Sequence, residues 1–322
     1  MSFNPIIIIG GEPKSVFLEI FIKAIKKLKK IYYPIILISS KDLLKKNMKK
    51  FNKNLKLNEL NKDISNLKLE KINLIDVKFK NFSFSSKKIT NKSNLYLTNS
   101  FKKALEIQKK INCAGLINGP ISKKTFLRGK YNGITEYLAS KTNSKKPVML
   151  IYNKILSVSP LTTHLPISKV SKKVNKKDII IKIMKIYYFY KNILKVNPKI
   201  AVTGLNPHCE SFDSENKEKK EIIPAIKYLK KKRINVDGPF ASDTIFLKKN
   251  LKRFNVVFGM YHDQVLTPMK TLFGFDAINI TLGLPFIRIS PDHGPNVEML
   301  GKNKSDASSL IASIRFLEKN GI

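Results

Sequence analysis

Four histidines are the residues of this sequence whose type and setting most directly suggest chemistry. Each stands in a short polar turn after an apolar segment: His164, His208, His262 and His293. The ends of strands in α/β sheets are where ligand sites form, and neutral imidazole is a common ligand of zinc and similar ions. Three imidazoles would leave coordination positions open for a substrate, as a catalytic metal requires. The sequence therefore predicts a divalent metal ion held by several of these histidines.

The residues beside the histidines are compatible with a metal site. Asp263, Asn206 and Thr163 each neighbour one histidine and could orient its ring through a hydrogen bond. The separations between the histidines, however, match no local metal motif such as His-Glu-x-x-His. The alternative for each histidine is a structural loop residue held by ordinary hydrogen bonds.

The pattern of apolar residues predicts the elements that would position these side chains. In the first 120 residues, strand-like and helix-like segments alternate. The expected strands are 6–9, 34–39, 73–77 and 114–118, and the expected helices are 15–30, 41–51 and 94–111. This alternation predicts βα units on a largely parallel sheet.

From residue 130 onward, short motifs rich in Gly, Pro, Asp, Asn and His separate the apolar segments. The expected strands are 148–152, 155–158, 199–203, 255–259 and 277–281, and the expected helices are 177–194, 221–232 and 305–317. The sequence shows no internal repeat and no long linker. Two interlocked α/β lobes are the simplest architecture for a chain of 322 residues.

The chain carries 61 basic and 23 acidic residues, which gives a net charge of +38. Such an excess could indicate a nucleic-acid or membrane partner. Only five of the basic residues are arginines, however, and recognition of phosphates and bases favours the arginine fork. Residues 255–322 hold six basic and six acidic residues, so the excess lies in the first 254 residues. We interpret the charge as lysine on solvated faces and expect no nucleic-acid partner.

The sequence indicates a soluble cytoplasmic protein. No apolar run approaches the roughly 20 residues that a membrane-spanning helix needs. The run Ile6–Ile9 is too short for a signal peptide and ends at Gly10. Two cysteines, Cys113 and Cys209, do not suggest a disulfide framework, which fits a reducing compartment.

Several motifs match one known family. The strongest are Leu205-Asn206-Pro207-His208, Met260-Tyr261-His262-Asp263-Gln264 and Thr281-Leu282-Gly283-Leu284-Pro285-Phe286-Ile287-Arg288. Segments 118–123, 135–139, 162–166, 238–239, 243–244 and 292–294 agree as well. In these motifs, which follow the family's order over about residues 114–322, the sequence resembles the 4-hydroxythreonine-4-phosphate dehydrogenase family of pyridoxal phosphate biosynthesis.

The resemblance implies the α/β fold of the isocitrate and isopropylmalate dehydrogenases, with the active site in the cleft between two lobes. The expected outer lobe is 1–130 with 295–322, and the expected metal-binding, substrate-binding and dimer-forming lobe is 131–294. The resemblance further implies a homodimer with active sites at the subunit interface. It implies a divalent metal (zinc, or magnesium, manganese or cobalt) and NAD, with NADP possible. Since no Gly-x-Gly-x-x-Gly motif occurs in the sequence, the expectation that the protein uses NAD rests on the resemblance alone.

The resemblance also assigns roles to single residues. The family's metal-binding histidines fall on His164, His208 and His262, which leaves His293 as a structural residue. Its substrate-binding residues fall on the positions Thr135, Lys270, Asn279 and Arg288. The sequence itself favours Arg288, because this arginine stands at the end of an apolar strand in a chain that otherwise uses lysine. Solvated lysine and buried hydrogen-bonding asparagine are the alternatives at Lys270 and Asn279.

The chain departs from the family pattern in two places. Ile134 stands where the family has a substrate-contacting histidine, next to Thr135-Glu136. In the segment 11–19, Ser15 and Phe17 stand where the family has two backbone-permissive glycines. These departures bear on the substrate, and a threonate or erythronate 4-phosphate is an alternative to 4-phosphooxy-L-threonine.

The expected reaction is oxidation of 4-phosphooxy-L-threonine with decarboxylation to 3-amino-2-oxopropyl phosphate. The metal would act as a Lewis acid on the substrate hydroxyl, and Asp243 or Lys270 would take its proton. The alternatives are a paralogous dehydrogenase, a phosphotransacylase-like protein, a basic nucleic-acid-binding protein, and an enzyme that keeps fold and metal without turnover.

Overall fold

A computed structural model describes residues 4–60, 64–80, 82–85, 91–122, 126–127, 131, 133–210, 216–274, 276–291 and 294–321. The chain forms two compact units. The first consists of Met1–Thr142 and Pro285–Ile322, and the second consists of Asn143–Leu284.

Helices and strands alternate along the chain. Up to residue 142 they are β1 (Ile6–Ile9), α1 (Phe17–Lys27), β2 (Ile35–Ser39), α2 (Lys41–Lys50), β3 (Leu57–Glu59), β4 (Ile72–Asp76), α3 (Asn91–Lys110), β5 (Gly115–Asn118) and α4 (Ile134–Lys141). The second unit contains β6 (Val148–Tyr152), β7 (Ser157–Thr162), α5 (Val170–Lys173), α6 (Lys176–Phe189), β8 (Ile200–Thr203), α7 (Ile223–Lys231), β9 (Val236–Phe240), α8 (Lys248–Leu251), β10 (Val256–Tyr261), α9 (His262–Phe273) and β11 (Ile278–Leu282). The chain then returns to the first unit with β12 (Arg288–Pro291) and α10 (Ser308–Asn320).

The strands of the first unit lie in the order β3-β4-β2-β1-β5-β12, and each neighbouring pair is parallel. Strand β1 is a continuous apolar run that is buried on both faces, as parallel strands are. Helix α1 buries Phe17 and Phe21 and packs against α10. The parallel βα arrangement expected for this part of the chain is confirmed.

The strands of the second unit lie in the order β11-β6-β7-β10-β8-β9. The β11-β6 and β6-β7 pairs are antiparallel, whereas β7-β10, β10-β8 and β8-β9 are parallel. Helix α9 packs on β7 and β10, and Val158, Val257 and Met269 belong to the core beneath it. The Asn175 side chain caps α6 by accepting from the Asp178 amide at 2.9 Å.

The compact units differ in their bounds from the lobes expected from the sequence. Residues 131–142 and 285–294 belong to the first unit rather than to the metal-binding lobe. The physical reason is the pairing of β12 with β5, in which Arg288 lies opposite Leu116. The Arg288 side chain also draws Thr135 of α4 into the same unit.

Two further structural facts concern membrane-spanning helices and the cysteines. Among the residues described, no helix combines the length and the apolar character needed to cross a membrane. Cys113 and Cys209 are both free cysteines.

Candidate functional site

Three neighbouring strands of the second unit carry the metal-binding histidines predicted from the sequence. Strands β7, β10 and β8 lie side by side and run parallel. His164 follows the end of β7, His262 follows the end of β10 directly, and His208 lies in the loop after β8. Since parallel strands end at the same edge of a sheet, the three histidine-bearing segments start from one edge, where α/β sheets bind ligands. We call these three residues the histidine edge.

The backbone at two of these histidines is unusual. His164 has a φ of 54° and His208 a φ of 55°, both in the left-handed region. A non-glycine residue there costs on the order of 1 kcal/mol and persists only when its surroundings enforce it. Such outliers cluster at functional sites, so the backbone supports a functional role for both loops.

The His262 side chain is oriented by its neighbour. His262 is the first residue of helix α9, whereas the sequence predicted a polar turn there. Its Nδ1 lies 2.7 Å from Asp263 Oδ1. An ionised Asp263 accepts from a protonated Nδ1, which leaves the lone pair on Nε2 for a metal. The ring is about one-third exposed and therefore accessible.

Two members of the histidine edge are close together. The ring centroids of His164 and His262 lie 5.7 Å apart with an angle of 36° between the rings. With metal–nitrogen bonds of about 2.0 Å, two imidazoles on one tetrahedral ion have centroids about 5 Å apart. The pair therefore fits a shared ion after a small adjustment. Within the described part of one chain, no three His, Cys, Asp or Glu side chains are grouped closely enough to hold a metal. His208 thus does not complete a three-ligand group with the pair.

Polar side chains tie the three strand ends together. Gln264, which is buried, accepts from Thr203 Oγ1 at 2.9 Å and from the Met260 amide at 2.7 Å, and it donates to the Gly204 carbonyl at 2.8 Å. Thr162 Oγ1 donates to the Met260 carbonyl at 2.8 Å. These bonds fix the ends of β7, β8 and β10 relative to one another.

The loop that carries His208 has acidic residues around it. Buried Glu218 accepts hydrogen bonds from Leu205 and Asn206. Burial raises the pKa of the Cys209 thiol, and the charges of Glu218 and Asp243 raise it further. The predicted base Asp243 is exposed in the turn after β9, and its charge acts on the Cys209 thiol of this loop.

Lys270 and Asn279, two predicted substrate contacts, are half-buried in the second unit. Lys270 lies on α9, two turns beyond His262, and burial lowers the pKa of its ammonium group. Asn279 lies in the middle of β11, opposite Ile151. Its Oδ1 is buried and meets no hydrogen-bond donor among the described residues. An amide oxygen in this state favours a ligand that brings a donor.

Arg288 is the centre of a second polar group, in the first unit. It is only 1% exposed and stands at the start of β12, not at the end of an apolar strand as the sequence suggested. Its Nε donates to Asn118 Oδ1 at 2.7 Å, and its Nη1 donates to Thr135 Oγ1 at 3.4 Å. We call Asn118, Thr135, Glu136 and Arg288 the arginine cluster. Asn118, the last residue of β5, and Glu136 were not predicted as site residues.

The guanidinium group of Arg288 is a cation that is buried within the arginine cluster. Burial lowers the pKa of Arg288 to about 10, against an opposing effect of the Glu136 charge. The guanidinium therefore stays charged at neutral pH. A buried arginine with neutral partners at Asn118 and Thr135 is suited to bind a carboxylate or phosphate through its fork.

The segment 11–19, which departs from the family pattern, is held by hydrogen bonds and by a close backbone approach at Gly11. Gly11 has a φ of 67° and lies so close to Gly119 and Pro120 that a Cβ would stand 2.7 Å from a backbone atom. Ser15 Oγ donates to the Glu12 carbonyl at 2.6 Å, and Lys14 donates to the Ser83 carbonyl at 2.5 Å. The one glycine that the backbone requires is thus retained.

Comparison with known proteins decides the family. A sequence model described as pyridoxal phosphate biosynthetic protein PdxA matches residues 30–317. The chain belongs to the PdxA family. A 4-hydroxythreonine-4-phosphate dehydrogenase of Sulfurihydrogenibium sp. is 38% identical over 310 residues, which are 94% of each chain. The family predicted from the motifs, and with it an oxidoreductase of pyridoxal phosphate biosynthesis, is confirmed.

Solved structures agree with this membership of the PdxA family. A 4-hydroxythreonine-4-phosphate dehydrogenase of Burkholderia phymatum superposes with a TM-score of 0.80 at 25% identity, over 99% of each chain. A β-decarboxylating dehydrogenase of Thermococcus kodakarensis shares the fold at a TM-score of 0.50 and 10% identity, over 99% of this chain and 85% of that one. The expected fold class is therefore confirmed. His293, predicted to be structural, lies outside the described residues.

Proposed function

We propose that this member of the PdxA family oxidises 4-phosphooxy-L-threonine with NAD, or NADP, and decarboxylates the product to 3-amino-2-oxopropyl phosphate in the cytoplasm. The observation that carries the proposal is the histidine edge, where His164 and His262 approach each other at the carboxyl ends of adjacent parallel strands. In the reaction, the secondary alcohol loses a proton to the protein and a hydride to the dinucleotide. The β-keto acid so formed then loses carbon dioxide.

A divalent ion, zinc or else magnesium, manganese or cobalt, would be held by His164, His208 and His262. The donor set fits, since the Asp263 contact leaves the His262 Nε2 lone pair available and the ring pair has a suitable spacing. When bound, the ion would supply Lewis-acid stabilisation of the alkoxide and the enolate.

A homodimer with the active site at its interface would explain the place of His208. Within the described part of one chain, only two of the three histidines come together as a candidate ligand pair. We infer that the third imidazole at each metal comes from a second copy of the chain. This arrangement would make the metal site depend on dimer formation.

The chain's own residues would bind the substrate and move its proton. Arg288 and Thr135 would hold the phosphate or carboxylate, and Asn279 Oδ1 would accept from the substrate amine or hydroxyl. The proton of the substrate hydroxyl would pass to Lys270 or Asp243. The lowered pKa of Lys270 favours this role, because more of its amine is then uncharged near neutral pH.

The test adds zinc, manganese or magnesium to the metal-stripped protein and measures the formation of NADH from 4-phosphooxy-L-threonine by absorbance. His262→Ala should abolish turnover. Arg315→Ala is a suitable control for handling and folding, because Arg315 is partly exposed and its ion pair with Glu318 in the first unit involves none of the predicted site residues. Full turnover in His262→Ala would contradict the proposal.

A second candidate is the oxidation of threonate or erythronate 4-phosphate. The observation that favours it is Ile134, which opens α4 directly beside Thr135 and offers no hydrogen bond to a substrate amine. The two candidates are separated by kcat/KM for the three substrates. A higher value for a phosphorylated sugar acid than for 4-phosphooxy-L-threonine would establish the second.

A further inference from the structure

The fully buried Glu218 carboxylate accepts hydrogen bonds from the segment that leads to His208. It is the first residue of the π-helix Glu218–Ile222 and is 0% exposed. Its Oε1 accepts from the backbone amides of Leu205 and Asn206, both at 2.8 Å. Its Oε2 accepts from Asn206 Nδ2 at 3.0 Å. Hydrogen bonds to an ionised acceptor are about twice as strong as neutral ones.

These bonds continue into the turn that contains His208. The Asn206 carbonyl accepts from the Cys209 amide at 3.2 Å, which closes a turn around Pro207 and His208. His208 and Cys209 both have left-handed φ values, of 55° and 62°. A backbone of this kind needs its neighbours to hold it, and Glu218 holds the two residues that enter the turn.

Glu218 is itself held in place. Asn216, which is 6% exposed, accepts from the Lys219 amide through Oδ1 at 2.9 Å and from the Lys220 amide through its carbonyl at 3.1 Å. These bonds fix the start of the π-helix and with it the Glu218 backbone. The carboxylate therefore reaches the His208 loop from a fixed base.

We propose that Glu218 is a positioning residue for the metal site: its carboxylate sets the Leu205–Asn206 backbone so that the His208 imidazole is presented to the metal. This inference rests on the proposed function. A purely structural carboxylate would affect only folding stability, whereas a positioning residue also determines metal affinity. Residues behind metal ligands change affinity by about 10- to 100-fold when they are replaced.

The experiment measures zinc affinity of the metal-stripped full-length protein by competition with a chromophoric chelator, together with thermal unfolding without metal. Glu218→Ala should weaken zinc binding about 10- to 100-fold. Glu218→Gln, which retains an acceptor oxygen at the same reach, should bind more tightly than Glu218→Ala. Glu221→Ala is the matched control. Glu221 lies on the same π-helix but accepts from the Lys176 amide at 2.7 Å, so zinc affinity should not change.

If Glu218→Ala does not fold, Glu218→Asp carries the test. Its carboxylate is shorter by one methylene and cannot reach both backbone amides, so zinc affinity should fall about tenfold or more. Wild-type zinc affinity in every folded Glu218 variant would overturn the positioning role. His208→Ala separates the two proposals: if it too binds zinc like the wild type, the metal assignment of His208 is wrong, and the role of Glu218 falls with it.

Discussion

Replacement of Arg288 by methionine should lower kcat/KM by several orders of magnitude while changing the free energy of unfolding by no more than about 2 kcal/mol. Arg288 is 1% exposed, and its pKa falls from an ordinary 12.5 to about 10 because of burial. Such a shift corresponds to about 3 kcal/mol of unfavourable energy for the buried charge. Methionine has a similar length and removes that penalty.

The substitution also removes stabilising interactions, and their free energy is similar in size to the penalty that it relieves. Among the described contacts, the hydrogen bonds to Asn118 and Thr135 disappear, each with a net contribution of about 1 kcal/mol. Asn118 Oδ1 also loses a partner in a buried position, at about 1–3 kcal/mol. Gains and losses thus cancel to within about 2 kcal/mol, as when other buried charges are replaced by apolar side chains.

Activity should respond differently, because two charge-assisted hydrogen bonds to a phosphate or carboxylate contribute about 3–6 kcal/mol. We expect kcat/KM of Arg288→Met to fall by about 10²- to 10⁴-fold. The assays are chemical denaturation and NADH formation, with Arg315→Met as the control. A large loss of stability with kcat/KM retained to within about tenfold would refute the reasoning.

Other outcomes follow from single contacts and charges. Asp263→Asn should weaken zinc binding by about tenfold or more, because the amide no longer fixes the His262 tautomer; an unchanged affinity in chelator competition would exclude that role. Burial raises the pKa of Glu12 above its ordinary 4.5, so the folded protein holds this proton more tightly than the unfolded one. The stabilisation that comes from this bound proton is fully present below about pH 4.5 and is lost as the pH rises through the raised pKa of Glu12 in the folded protein. Glu12→Gln should therefore raise the melting temperature more at pH 8 than at pH 5, and an equal shift at both would contradict this. A groove of about 930 Å³ in the first unit is lined by five lysines and by no arginine. Since phosphate recognition favours the arginine fork, we expect this groove to bind DNA only weakly. Steep salt-dependent retention on DNA near physiological salt would instead support the nucleic-acid alternative.

Much of the fold follows from local patterns in the sequence. The run Ile6–Ile9, bounded by Gly10 and Gly11, predicts a buried strand, and the structure contains β1 there. Helix α9 was missed because His262, Asp263 and Gln264 resemble a polar turn and Pro268 stands inside the helix. Proline normally interrupts a helix, so tertiary packing on β7 and β10 has overridden local propensity here.

The candidate site depends more on long-range contacts. The bond between Arg288 and Asn118 joins residues 170 positions apart, and no periodicity could reveal it. A polar residue at the end of an apolar strand was the available signal for Asn118. Glu218 gave no local signal, since an acidic residue in a lysine-rich segment is typical of a solvated helix. The motif-bearing histidines were recognisable because each follows a strand directly or after a short loop.

The most direct test of a catalytic metal at the histidine edge is a zinc titration of the metal-stripped protein, with NADH formation from 4-phosphooxy-L-threonine measured at each point. If the histidine edge binds a catalytic metal, turnover should be negligible without metal and should rise linearly until it saturates at about one zinc per chain, as expected for one site with three histidine ligands. Undiminished turnover in the metal-stripped protein, or unchanged saturation in His164→Ala, would contradict a catalytic metal at this site.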